Sequence, residues 1–156
     1  MPRTRASRVS GLFAESALLL QHLPRHDAET ELLILKAHLI VEASLRAYID
    51  RKLPNPAEFT HHRFSYSQIV VMCRSLAPKT STKWIFDAAK LLNDARNKYA
   101  HDLEPTESIQ ILTALSNLIE KNLHNPVPPI EQRGEQRLYM ALVDFHTAAL
   151  DFLHKN

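Results

Sequence analysis

Three observations predict an all-α fold for this chain of 156 residues. Its only glycines are Gly11 and Gly134, and no run alternates apolar and polar residues as a half-buried strand would. Pro24, Pro54 with Pro56, Pro78, Pro105, and Pro126 with Pro128 and Pro129 cut the sequence into segments, each with the apolar spacing of a helix.

In chain order, Leu12 to His22 is a short N-terminal helix, and Asp27 is placed to cap a long one running to about Lys52. Ser65 and Gln68 have the spacing of a capping box opening a helix that ends near Leu76. Ser81 or Thr82 starts the next. Pro105 and Glu107 suit the first turn of another, whose Ile109, Leu112, Leu115, Ile119 and Leu123 should point inward. After the proline-rich linker 124–130, Leu138, Leu142, Phe145, Ala149 and Phe152 stripe a C-terminal helix over about 131–154. Short connections between helices imply an antiparallel bundle, and the length suits one domain, 1–156, with a real core.

Cys73 is the only cysteine, which excludes an internal disulfide, and no secretory leader pattern opens the sequence. The longest apolar stretch, Leu32 to Ile49, is interrupted by Lys36, His38, Glu42 and Arg46, which a lone membrane span would not tolerate. The expectation is therefore a cytoplasmic chain with no membrane partner. Charge is uneven along it: residues 64–103 are the most basic part, with 6 Lys/Arg against 3 Asp/Glu, while 104–156 are acidic, with 4 against 7. That bias is compatible with a polyanionic partner and does not by itself identify one.

The long helix from Asp27 has apolar residues on more than one face, among them Leu33, Leu35, Leu39, Ile40, Val41, Leu45, Tyr48 and Ile49, so burial on two sides is expected, by a central position or a dimer contact. His38, Glu42 and Arg46 form a polar line on it at i, i+4 and i+8. A carboxylate there needs a compensating charge, which places Glu42 near Arg96 or His38.

The stretch "ARNKYAHDLEP", residues 95–105, closes the basic third of the chain. Projected at about 100° per residue, Trp84, Ile85, Ala88, Leu91, Leu92, Ala95 and Tyr99 share the core arc. Lys83, Lys90, Asn93, Asn97 and His101 cluster opposite, and Arg96 lies at the border, so Arg96, Asn97 and His101 line one edge of a groove. An Arg-x4-His spacing alone says little, because 11 arginines and 9 histidines in 156 positions give about 0.6 such pairs by chance. Requiring an asparagine directly after the arginine lowers this to about 0.03.

"RNKYAH", residues 96–101, resembles the Arg-x4-6-His motif of HEPN-domain proteins, in which a polar residue, often asparagine, follows the arginine. "LKAHLIVEASLRAYI" is similar to the long N-terminal helix of that family, and the helix order agrees over about 28–123. The resemblance implies a dimeric, metal-independent endoribonuclease of a toxin or phage-defence system, needing no cofactor. It carries the catalytic positions onto Arg96, Asn97 and His101, and Glu42 and His38, on the polar line of the long helix, are the expected supporting residues. It also implies an RNA substrate and an antitoxin or other regulatory protein partner. Lys83, Lys90 and Lys98 are candidate RNA-binding residues on the same helix. One departure is Leu103, where a HEPN subgroup controlled by a nucleotidyltransferase antitoxin has a tyrosine, so control by modification of that tyrosine is not expected.

The chemistry agrees with those residue types. Metal-free RNA cleavage needs a base for the 2′-hydroxyl proton, an acid for the leaving 5′-oxygen and positive charge at the phosphate. Histidine can take either proton-transfer role near neutrality, and arginine is a permanent planar donor to phosphate oxygens. One His101 cannot readily serve both sides of one phosphorus, whereas two brought together by a two-fold axis can. Asn97 would orient the substrate or His101, its i+4 neighbour.

Other candidates read as ordinary structure. His61 and His62 are loop residues without the helical spacing that aims two ligands at one metal, Cys73 is core, and Arg3, Arg5 and Arg8 form a basic tail. The competing function is a non-catalytic regulator or protein-binding adaptor on the same bundle, similar to HEPN-like repressors, with "RNKYAH" structural.

Overall fold

A computed structural model gives the fold, and it describes residues 29–78, 83–101, 106–123 and 134–155, together with Gln21. The expected N-terminal helix, the Asp27 cap, the Ser81 or Thr82 start, Pro105, the linker 124–130 and the arginine tail lie outside the described residues. Six helices follow in order among those described: α1 (Thr30–Lys52), α2 (Pro56–His61), α3 (Tyr66–Leu76), α4 (Lys83–His101), α5 (Thr106–Leu123) and α6 (Gly134–Lys155). They form an all-α bundle, with no strand among the described residues.

The prolines act as chain breakers for a steric reason. A residue before proline is pushed out of the helical region, and the helices α1 and α3 end at such residues, Leu53 before Pro54 and Ala77 before Pro78, both with extended backbone. Pro56 opens α2, where a missing N–H costs nothing. This short helix was not expected: it takes in His61, with His62 as its C-cap, so the pair is not a plain loop, though both side chains are exposed. Ser65 and Gln68 close the capping box reciprocally, Gln68 N–H to Ser65 Oγ at 3.3 Å and Ser65 N–H to Gln68 Oε1 at 2.8 Å.

Helix α1 is the hub, packing against α2, α3, α4 and α6, while α5 packs on α4 and α6. It buries Leu33, Ile34, Ala37, His38, Val41, Leu45, Tyr48 and Ile49, and each large apolar side chain among them contributes roughly 1.5–3 kcal/mol on transfer from water. The opposite strip of the same helix stays outside: Leu32, Leu35 and Leu39 are 43%, 39% and 51% exposed. A central position and a partly exposed apolar strip therefore coexist on one helix.

Polar ties lock the hub to its neighbours. Cys73 Sγ donates to Leu45 O (3.3 Å), Tyr48 Oη to Leu76 O (3.3 Å) and Arg51 Nη2 to Leu153 O (3.2 Å), the last two reaching carbonyls in the final turns of their helices. Burial pushes the Cys73 thiol up to about 12, which makes it a core residue rather than a nucleophile. In α6 all five expected stripe residues, Leu138, Leu142, Phe145, Ala149 and Phe152, are buried. In α5 Leu115 and Ile119 are buried and Leu112 and Leu123 half-buried, but Ile109 is 65% exposed and Ser108 takes the inward position. Among the described residues, no helix is long and apolar enough to cross a membrane.

Candidate active site

Helix α4 carries the motif, and its core arc holds: Ile85, Ala88, Leu92 and Ala95 are buried, and Trp84, Leu91 and Tyr99 are half-buried against them. Anchoring that arc fixes the rotation of the whole helix. Lys83, Lys90 and His101 are consequently exposed, while Asn93, Arg96 and Asn97 are half-buried at the margin.

Arg96 Nη1 donates to Asn97 Oδ1 at 3.0 Å. The asparagine thus holds the guanidinium, and no hydrogen bond joins it to His101, one of the two partners expected for it, the other being the substrate. His101 is the last residue of α4. It sits five residues beyond Arg96, about 7.5 Å along the axis, with its ring in solvent.

Behind the arginine lies a buried polar cluster. His38, 6% exposed, brings Nε2 to 3.1 Å from Asn93 Oδ1, and its ring stacks on Tyr66 with centroids 4.2 Å apart. A carbonyl oxygen can only accept, so Nε2 carries the proton and Nδ1 is left buried with no hydrogen-bond partner among the described residues. Burial lowers the His38 pKa below its ordinary value; the Asn93 bond and the Glu42 charge oppose that, and the Arg96 charge adds to it. Glu42 and Arg96 therefore both bear on one imidazole, from α1 and α4. The Tyr66 hydroxyl is also buried with no partner among the described residues, and burial raises its pKa.

The direct ion-pair partner of Glu42 is Arg46, not Arg96: Nε and Nη2 of Arg46 lie 2.9 and 2.8 Å from Glu42 Oε1. Arg46 also donates to Phe64 O at 3.1 Å and stands 6.0 Å over the Phe59 ring. The polar line of α1 thus splits into two tasks. His38 ties α1 to the motif helix, and the Glu42–Arg46 pair ties it to the segment around α2.

Of the three candidate lysines, Lys83 pairs with Asp87 and Lys98 with Glu107, each at 2.5 Å. The second pair joins α4 to α5. Lys90 has no carboxylate partner among the described residues and lines a cavity of about 130 Å³ between α3 and α4. Surface pairs contribute at most about 1 kcal/mol, so a phosphate can compete for Lys83 and Lys98.

Two features escaped the sequence. Asn93 was legible as polar, but nothing in its spacing marks His38, 55 positions away, as its partner. The second is a serine–histidine contact, Ser44 Oγ to His146 Nε2 at 3.2 Å. Ser44 gives its only proton to Ile40 O at 3.0 Å, so the histidine donates and the serine is not an activated nucleophile. Among the described residues, no three His, Cys, Asp or Glu side chains are arranged to hold a metal ion.

No protein-family model matches this chain, and comparison with curated proteins and with solved structures gave no match.

Proposed function

We propose that this chain is a metal-independent endoribonuclease of HEPN type, working as a homodimer in a toxin or defence system under the control of a protein partner. The observation that carries the reading is the pairing on one helix end of a held guanidinium, Arg96 fixed by Asn97, with a solvent-facing imidazole, His101. A buried polar cluster stands behind the arginine, and a phosphate can approach from the open side.

In this reading one His101 takes the proton of the 2′-hydroxyl, whose oxygen attacks the adjacent phosphorus. The partner copy's His101 protonates the departing 5′-oxygen. The products are a 2′,3′-cyclic phosphate and a 5′-hydroxyl, and no water is consumed. Arg96 from each copy stabilises the charge that builds on the phosphate oxygens. Leu32, Leu35 and Leu39 support the dimer, because on the α1 projection their strip borders His38 and Glu42, on the side where α4 lies. Closing two copies over that strip would bring the two motif helices toward one cleft.

The test is incubation of purified protein with RNA in the presence of a chelator, with analysis of the ends. The expected result is cyclic phosphate and 5′-hydroxyl termini, with DNA intact because it lacks the nucleophile. Equal cleavage by the wild type and His101→Ala would assign the activity elsewhere. A protein that cuts no RNA but captures a specific protein would favour the adaptor reading.

A further inference from the structure

The groove-facing side of α4 does not end at the motif. Lys90 and Asn93 stand on the same side as Asn97 and His101, about one to two turns before Asn97, and both line the cavity between α3 and α4. Its volume, about 130 Å³, is well under the roughly 300 Å³ at which pockets for drug-sized ligands begin. One small ring system fits it and a peptide helix does not.

Its walls are mainly apolar and aromatic. Tyr66, whose other face is covered by His38, and Phe86 supply rings, and Val70 and Val71 supply aliphatic contact. One lining side chain has donors to spare: Asn93 has committed its oxygen to His38, which leaves its amide N–H groups to donate. Arg74 and Lys90, both exposed and without a carboxylate partner among the described residues, also line the cavity, and the Asp87 carboxylate is neutralised by Lys83. Apolar walls, hydrogen-bonding groups and cations together suit a heterocycle carried on an anionic backbone.

We propose that this cavity is a base-binding subsite, taking one unpaired nucleobase of single-stranded RNA next to the scissile phosphate. The assignment of that phosphate rests on the ribonuclease reading; the cavity chemistry does not. Asn93 and Asn97 are about 6 Å apart along the helix axis. A strand rising about 3.4 Å per stacked nucleotide, and more when extended, covers that distance in one or two nucleotides. A phosphate at Arg96 and a neighbouring base in the cavity are then compatible with one continuous strand.

The experiment is an NMR titration of the full chain with the four ribonucleoside 5′-monophosphates, with inorganic phosphate as control. Saturable shifts of the Val70 and Val71 methyls and the Asn93 side-chain amide, produced by at least one nucleotide and not by phosphate, are expected. Val71→Trp, at a position 62% exposed where the fold tolerates size, should fill the cavity and weaken the nucleotide about tenfold, as losing one stacked base does. Absence of shifts with every nucleotide, or equal shifts with phosphate alone, would overturn the subsite. His101→Ala should keep the nucleotide shifts while losing cleavage. Nucleotide shifts in a wild-type protein that cuts no RNA would uphold the subsite and end only the ribonuclease reading.

Discussion

His38 on the hub helix and Asn93 on the motif helix are joined at 3.1 Å across 55 positions of sequence, and the imidazole is buried. This bond fixes how α4 is set against α1, so the orientation of Arg96, one turn further on, depends on it. A double-mutant cycle of His38→Leu and Asn93→Ala, followed by urea unfolding, should give a coupling of about 1 kcal/mol. Additive losses would show that the contact does not hold the two helices together.

The same imidazole sets a pH dependence. Burial is the largest cause of its lowered pKa, with Asn93 and Glu42 acting upward and Arg96 downward. A histidine whose folded pKa lies below its unfolded value of about 6.5 contributes stability that is complete above that value. The contribution is lost as pH falls through the folded pKa, because the unfolded chain binds the proton more readily. His38→Gln should therefore flatten the acid limb of the stability profile below neutrality. In an NMR titration the His38 pKa should rise in Arg96→Ala and fall in Glu42→Gln. Movement in the opposite directions would mean that these charges do not face the ring.

Much of the fold was readable because its signals are local. Pro54 and Pro78 end helices through the residue before them, and Ser65 with Gln68 opens one through bonds three residues apart. The core arc of α4 follows from helical period alone. What was not readable depended on neighbours. The α1 pattern could not say that Leu35 and Leu39 face outward, since apolar residues surround that helix and only the packing of α3, α4 and α6 selects the buried arc. Glu42 was expected beside Arg96 or His38; its charge does bear on His38, but its direct partner is Arg46, one turn along the same helix.

Ile109 illustrates that limit and can be tested. Its spacing fits an inward stripe, yet it is 65% exposed while Leu115 is fully buried. Ile109→Ala should change stability by no more than about 0.5 kcal/mol, whereas Leu115→Ala should cost about 2–5 kcal/mol by leaving a cavity. Thermal or denaturant melts distinguish them. A large loss at Ile109 would mean that another surface covers it, which sedimentation of the same variant would reveal.

The proposed composite cleft makes a quantitative prediction about mixed assemblies. If the strip of Leu32, Leu35 and Leu39 joins two copies, replacing Leu35 and Leu39 with glutamate should give folded monomers by sedimentation, because neither side chain belongs to the buried core. Those monomers should lose RNA cleavage together with dimer formation. His101→Ala should slow cleavage by at least about two orders of magnitude, and Arg96→Ala comparably, since each removes a proton-transfer group or a charge from the reacting phosphate. Neither should unfold the bundle, as one side chain is exposed and the other lies at the margin of the core. When wild type and His101→Ala are refolded together in equal amounts, random pairing leaves about a quarter of the dimers with two intact histidines. If acid and base come from different copies, the cleavage rate should fall to about that fraction of the rate of an all-wild-type sample at the same total concentration. A fall to only about half would mean that each copy cuts with its own His101, and the shared cleft would have to be given up.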